Sequence, residues 1–542
     1  MFKANTNHNQ NTLFDSTLWM NPRICEKLDK SWAPIFYEQI FCKIDEAPFS
    51  VLYGTTGNPN FPVNILLSLE YIKHMRQCND LELLDSFYFD YLVNYAVGIR
   101  TLGDKNLAER TLYYFRERIY NYCLENPLDG DLLFEQFLNL LKNFSENAGV
   151  SMDEQRTDTT LFMSNIKKAG RISLAYDVLV KLVKAIPEDR LTSALASVLE
   201  PKYKTDTLYR AKAQDSDSRL AILLDTCKEA LDILESLPGM LESDEVRIGK
   251  RFLREQSTTV DDTGKLKPKK NKEISPSSLQ SAYDEDATYR KKANVSQSGY
   301  VLEITETCEK DNPFQLLTDY SVESNNTSDV EILKGRIEEI RENTGCTDMY
   351  VDGGFHSEAV HQAADSNGIK IHMTNMSGTE PTNKLPMNEF DIDEVTKIIN
   401  KCPGGYVPTH AGVSSSQTSA HFPHEACSNC EFRERCYSKA QVKDCVVRIN
   451  LKSIDVSRIR VEMKADIVEN TSKRAGIEGS NSALKRKGLD KLAVRGMVKS
   501  KIVCGLMVTA QNIKRFVKYI QGGYKQQNAN IPPNGIIVPI NG

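Results

Sequence analysis

Residues 299–308 (GYVLEITETC), 330–343 (VEILKGRIEEIREN) and 347–355 (TDMYVDGGF) read in turn as strand, helix and strand. The first is an apolar, β-branched run, the second places apolar residues at helical spacing, and the third runs straight into two glycines. Alternation of this kind argues for an α/β layer. Upstream, SMDEQRTDTTLFMSNI (151–166) adds a short strand leaving a polar loop.

Residues 1 to about 125 read as mostly helical. Pro62 opens PVNILLSLEYIKHM, and LELLDSFYFDYLVNYAVGI follows after a polar break. Short helices with connectors suit a DNA-binding module and an ordinary bundle equally. The aromatic run SFYFDYLVNY (86–95) reads as helical core rather than a base-stacking platform. GDLLFEQFLNLLKNFSEN (130–147) is another amphipathic helix, and long helical periodicity returns over 170–255. The stretch 256–298 is poor in large apolar residues and includes KLKPKKNK, five lysines in eight residues, which reads as a solvated loop.

With 542 residues, three or four domains are expected, or one large domain with insertions. Hydrophobic residues make up 40% and charged residues 26%, which excludes a disordered chain, a collagen or a disulfide-knotted miniprotein. A net charge of -5 gives no global basic field, so any nucleic-acid surface must be local. From Lys473 to Lys501, nine Lys or Arg face two acids, Glu478 and Asp490, the footprint of a backbone contact surface. The first twenty residues lack a signal-peptide core, and the longest apolar run, Ile502 to Val508, falls far short of the ~18 residues that span a bilayer. A soluble, cytoplasmic protein with no membrane partner is the expectation.

Three carboxylates stand out: Asp158 in RTDTT, Asp352 in YVDGGF and Glu478 in TSKRAGIEGSNSALKRKG. Each alone is as well explained by a cap or a turn. Arg474, Glu478 and Lys485, however, are spaced by four and seven residues, which places all three on one helical face. A carboxylate flanked by cations there suits metal and phosphate together, although a surface ion-pair ladder has the same spacing.

These blocks resemble an insertion-sequence transposase of the DDE class with a Tyr-x2-Arg-x3-Glu-x6-Lys signature, and within that group the chain is most similar to the family numbered eleven-eighty-two. Arg474-x3-Glu478-x6-Lys485 fits the signature, with Thr471 where the tyrosine stands. RTDTTLFMSNIKKAGRI and YVDGGFHSE resemble the first-Asp and second-Asp blocks, and LQSAYDEDATYRKKANVSQSGYVLEI between them also resembles family text. The likeness runs from about residue 15 to 520. It implies an α/β, ribonuclease-H-like catalytic core (131–542, a mixed sheet flanked by helices) after an all-helical N-terminal DNA-binding domain (1–130). Large insertions are expected at about 170–298 and 380–445. It further implies that Asp158, Asp352 and Glu478 are catalytic and bind two Mg2+ (or Mn2+) ions, and that Arg474 and Lys485 bind DNA. Carboxylates suit such hard ions, which serve both in-line oxygens in phosphodiester cleavage.

Within the second insertion, Cys427-x2-Cys430 has the spacing of a metal knuckle. Cys436 is a third candidate ligand and Cys402, or else His424, the fourth. Structural Zn2+ is the expected metal, with an iron–sulfur cluster as the alternative and free thiols as the plain reading. His356 reads as a polar turn residue, and Gly353–Gly354 is not a phosphate-binding loop.

The leading expectation is a transposase that binds the terminal inverted repeats of its element, cuts there and joins the ends to target DNA. A homodimer on double-stranded DNA is implied, in a prokaryotic cytoplasm and nucleoid-associated when bound. The competing readings are an inactive sequence-specific DNA-binding protein, favoured only by Thr471, and a cut-only metal-dependent nuclease of the same fold.

Overall fold

The computed structural model describes residues 1–6, 8, 15–127, 131–167, 170–209, 216–259, 265–292, 295–375 and 383–529. The expected boundaries at 130 and 380 lie outside the described residues. Residues 15–127 hold helices and no strand; the longest apolar one is α1 (Val63–Arg76), buried almost all round. Helix α2 (Leu132–Ala148) starts at Asp131, whose carboxylate accepts from the first free N–H groups, and stops at Gly149 in the left-handed conformation.

The central strand β1 (Glu154–Phe162) follows at once. After it come helices α3 (Arg171–Ala185), α4 (Ser216–Ser236) and α5 (Asp244–Gln256), which share a hydrophobic core of their own. The sheet resumes with β2 (Val295–Thr307) and β3 (Leu317–Ser324), then α6 (Asp329–Thr344), β4 (Asp348–Val351), α7 (Glu358–Ser366) and β5 (Lys370–Met373). Its spatial order is β3-β2-β1-β4-β5. Strand β1 is antiparallel to β2, with Asp158 opposite Ile304, and β2 is antiparallel to β3. Strand β4 is parallel to both β1 and β5.

The described residues of 256–298 hold more strand than that composition suggested. Ser257–Thr259 pairs with Leu266–Pro268, and Thr288–Lys292 pairs with the first residues of β2. These strands lie at sheet edges, where lysines are tolerated because one side of the backbone is unpartnered. Between β5 and the next long helix, residues 410–450 form a separate four-stranded antiparallel sheet. Helix α8 (Leu451–Leu484) then crosses the main sheet, and after a turn at Gly488 (φ 102) α9 (Met497–Ala529) packs on its other end.

The N-terminal helices share one continuous core with β2, β3, α8 and α9. Phe144 of α2 stacks on Phe516 of α9 at 4.4 Å, and Tyr320 of β3 meets Phe134 and Phe137 edge-on at 5.3 Å each. Among the described residues, no helix is long and apolar enough to cross a membrane.

At Gly505, α9 lies so close to β3 that an added Cβ would fall on the hydroxyl of the buried Tyr320. Helix propensity alone favours alanine there by about 1 kcal/mol, but overpacking a core costs roughly 1–3 kcal/mol. Gly505→Ala is therefore expected to lower the urea-unfolding midpoint. A raised midpoint would contradict this packing of α9 on β3.

Candidate active site

Strand alternation sends Glu154, Arg156 and Asp158 to the α8 side of the sheet and Gln155, Thr157 and Thr159 to the α6 side. Asp352 follows directly on β4; its Oδ1 accepts the Gly354 N–H at 2.8 Å and caps the single turn Gly353–Phe355. Arg474 and Glu478 stand one turn apart on α8. The Arg474 guanidinium occupies the space between the three acids: Nη2 lies 3.3 Å from Asp158 Oδ1 and 3.4 Å from Asp352 Oδ2, and Nη1 lies 3.6 Å from Glu478 Oε1. Asn481 Nδ2 donates to Asp158 Oδ2 at 3.3 Å. The Asp158 side chain is 17% exposed while that of Glu478 is 68% exposed, so Glu478 is the most open member of the set.

The carboxylates of Asp158 and Asp352 already converge on one cation. Their hard, anionic oxygens suit Mg2+ or Mn2+, and Glu478 meets the same guanidinium from the helix side. Among the described residues no three His, Cys, Asp or Glu side chains are arranged to hold a metal ion as they stand. Arg474 supplies the positive charge at this point.

What holds α8 here is a buried charge cluster that local reading of the sequence missed. Glu306 of β2, wholly buried, lies 2.7 Å from Arg156 Nη2 and 2.7 Å from Arg515 Nη1, and accepts from Ser480 Oγ at 2.5 Å. Arg156 Nη1 also donates to the Lys473 carbonyl at 2.5 Å. An added Cβ at Gly476 would collide with that guanidinium, so only glycine lets the helix settle over it. Beside it, Lys473 Nζ pairs with Glu154 at 2.7 Å and donates to Tyr350 Oη at 3.0 Å. The available signal was a glutamate in the apolar run GYVLEITETC, where an uncompensated charge cannot be buried.

That run holds a second buried glutamate, facing the opposite side. Glu303 Oε1 accepts from Thr157 Oγ1 at 3.1 Å, while its Oε2 has no partner among the described residues. Burial raises its carboxyl from 4.5 to about 8, and the nearby Asp319 adds to the rise.

Of the other expected residues, Lys485 pairs with Asp490 at 3.6 Å rather than with the acids. Thr471 is exposed on α8. His356 follows the Gly353–Phe355 turn and meets His361 edge-on at 5.5 Å. Cys402, Cys427, Cys430 and Cys436 line one cavity of about 20 Å³, walled by Tyr406, Phe422 and Val447. That volume would admit about one water molecule. A fifth thiol, which the sequence reading did not include, joins this group: Cys445 is buried with its Sγ 3.6 Å from His424 Nδ1. Burial, followed by the Cys445 hydrogen bond, pushes the Cys427 thiol up to about 11. All thirteen cysteines are free thiols.

Residues 402–517 match the family model described as a transposase DDE domain, which supports a DDE-class transposase. The matched segment contains the cysteine group, Arg474 and Glu478; Asp158 and Asp352 lie outside it. No curated protein and no solved structure matches the chain.

In the folded chain Glu303 keeps its proton to about pH 8, whereas an ordinary glutamate loses it near 4.5. Its contribution to stability is whole below pH 4.5 and is lost as pH rises through 8, by up to about 1.4 kcal/mol per pH unit. Glu303→Gln should flatten this decline, so that its Tm gains on wild type between pH 5 and 8. Parallel Tm curves would contradict the buried neutral acid.

Proposed function

We propose that the chain is an insertion-sequence transposase of the family numbered eleven-eighty-two. In this reading it binds the terminal inverted repeats of its element, cleaves DNA there and transfers the strands to target DNA. The observation that carries it is the gathering of Asp158, Asp352 and Glu478 around one arginine, from a central strand, a neighbouring strand end and a later helix. The β3-β2-β1-β4-β5 order, with β1 to β3 antiparallel and β4 and β5 parallel, supports a ribonuclease-H-like core. The family match over the helix that holds Glu478 supports it independently.

Asp158, Asp352 and Glu478 would hold two Mg2+ (or Mn2+) ions, which when bound activate the attacking oxygen and stabilise the leaving one. The protein's own groups do the positioning. Asp158 is held by its strand and by Asn481, and Asp352 by its turn, so two of the three acids are set before substrate arrives. Arg474, withdrawn from them, binds and orients the scissile phosphate, and Lys485 contacts the adjoining backbone. The exposed Glu478 closes the set last. End recognition belongs to the N-terminal helices, and a homodimer brings two ends together.

At the cysteine group, Cys402, Cys427, Cys430 and Cys436 would hold a structural Zn2+, with His424 as the alternative to Cys402. What supports this reading is that the four cysteines line one small cavity; the thiols would have to draw together to reach a tetrahedral ion.

Purified protein, Mg2+ and labelled duplex carrying the terminal repeat should give nicking at the repeat end. In Asp352→Asn that rate is expected to fall by roughly a thousandfold, equivalent to several kcal/mol of transition-state stabilisation. Equal DNA binding by both proteins with no cutting would instead favour an inactive DNA-binding protein.

For the cysteine site, metal analysis should return one zinc per chain. Cys430→Ser should lose it, with a lower Tm. Iron with visible absorption would replace zinc by a cluster, and no metal in the wild type would remove the site.

A further inference from the structure

A second site lies at the N-terminal half of α8, where the helix meets residues 384–387 and the two residues that flank Cys436. It is an open cleft of about 320 Å³ whose polar lining is Lys384, Arg435, Lys452 and Arg460 with Tyr437, Ser453 and Ser457, set over an apolar floor that includes Met387 and Val456. No acidic side chain is among its lining residues, although the chain as a whole is acidic. Among the described residues no ion pair engages Lys384, Arg435 or Lys452; Lys384 Nζ instead donates to the Cys436 carbonyl at 2.9 Å and bridges to the cysteine module. Four cations and three hydroxyls without a carboxylate form a receptor for phosphate-ester oxygens.

Position along α8 relates this cleft to the catalytic acids. Arg460 precedes Arg474 by fourteen residues, which is ~21 Å along an α-helix and within roughly 40° of the same face. A duplex laid along that face from the carboxylates would reach the cleft after roughly six base pairs at 3.4 Å each. Tyr437 is the one aromatic ring in the lining, and no acid accompanies it to bind a sugar hydroxyl, as a dedicated nucleotide site would require.

We infer that the cleft formed by Lys384, Arg435, Lys452 and Arg460 binds the phosphodiester backbone of the DNA, about half a helical turn from the cleavage site. The inference rests on the transposase reading. The cysteine module thereby has a mechanical role, since Arg435 and Tyr437 flank Cys436 and their placement depends on how that segment folds.

The test uses the full chain and a labelled duplex carrying the terminal repeat, with anisotropy measured over a series of NaCl concentrations. Arg435→Gln/Lys452→Gln removes two exposed cations, and Lys452→Gln alone serves if the pair lowers Tm. Loss of two phosphate contacts should reduce the slope of log K against log salt by about 1.8, or about 0.9 for the single variant. An unchanged slope in a wild-type background that still nicks DNA would overturn the cleft and leave the transposase reading standing. Wild type that neither binds nor nicks would remove both. Thymidine monophosphate is the second arm: if millimolar nucleotide binds wild type but not the variant, while the duplex slope is unchanged, the occupant is a free nucleotide and the backbone assignment falls.

Discussion

Glu306 is the constraint on which the site depends. A carboxylate taken out of water costs several kcal/mol unless it is fully paired, and this one is paired by three elements at once: Arg156 from β1, Arg515 from α9 and Ser480 from α8. It therefore fixes α8 in rotation as well as in place. A slip of one residue would turn the helix by about 100°, carrying Arg474 away from Asp158 and Ser480 away from Glu306 together. Gly476 belongs to the same device, because the Arg156 guanidinium lies where any Cβ would stand. Such a cluster adds little net stability compared with an apolar core, but it permits one docking geometry.

The three candidate acids were legible because their signals are local. Asp158 follows from a short Thr-rich strand, Asp352 from an apolar strand ending in two glycines, and Arg474 with Glu478 from spacing on one helix. The cluster that positions them was not legible in that way. Arg156 lies 150 residues from Glu306 and Arg515 lies 200 residues from Gln315, whose carbonyl it also binds, and no periodicity links such distant positions. The two glutamates of GYVLEITETC face opposite sides of β2, so one ends in an ion cluster and the other as a buried acid. Local reading gave the strand but not this division. Edge strands such as Thr288–Lys292 were hidden by their lysines, and Cys445 was hidden because a lone cysteine in a strand carries no spacing signal.

The insertions leave the sheet order undisturbed because each enters and leaves at a strand end. The first, α3 to α5, folds around its own core and makes no demand on the carboxylates. The second runs directly into α8 (Leu451–Leu484), which carries Lys452 and Arg460 of the cationic cleft as well as Arg474 and Glu478.

Strand joining tests the central claim most directly. A labelled repeat end with a free 3′-hydroxyl would be incubated with supercoiled plasmid, divalent metal and either wild type or Glu478→Gln. The account expects label to appear covalently in relaxed or linear plasmid with wild type and to be absent with the variant. Ends that are cut but never joined would contradict it and make the protein a nuclease; joining that persists in Glu478→Gln would contradict the catalytic role of the α8 carboxylate.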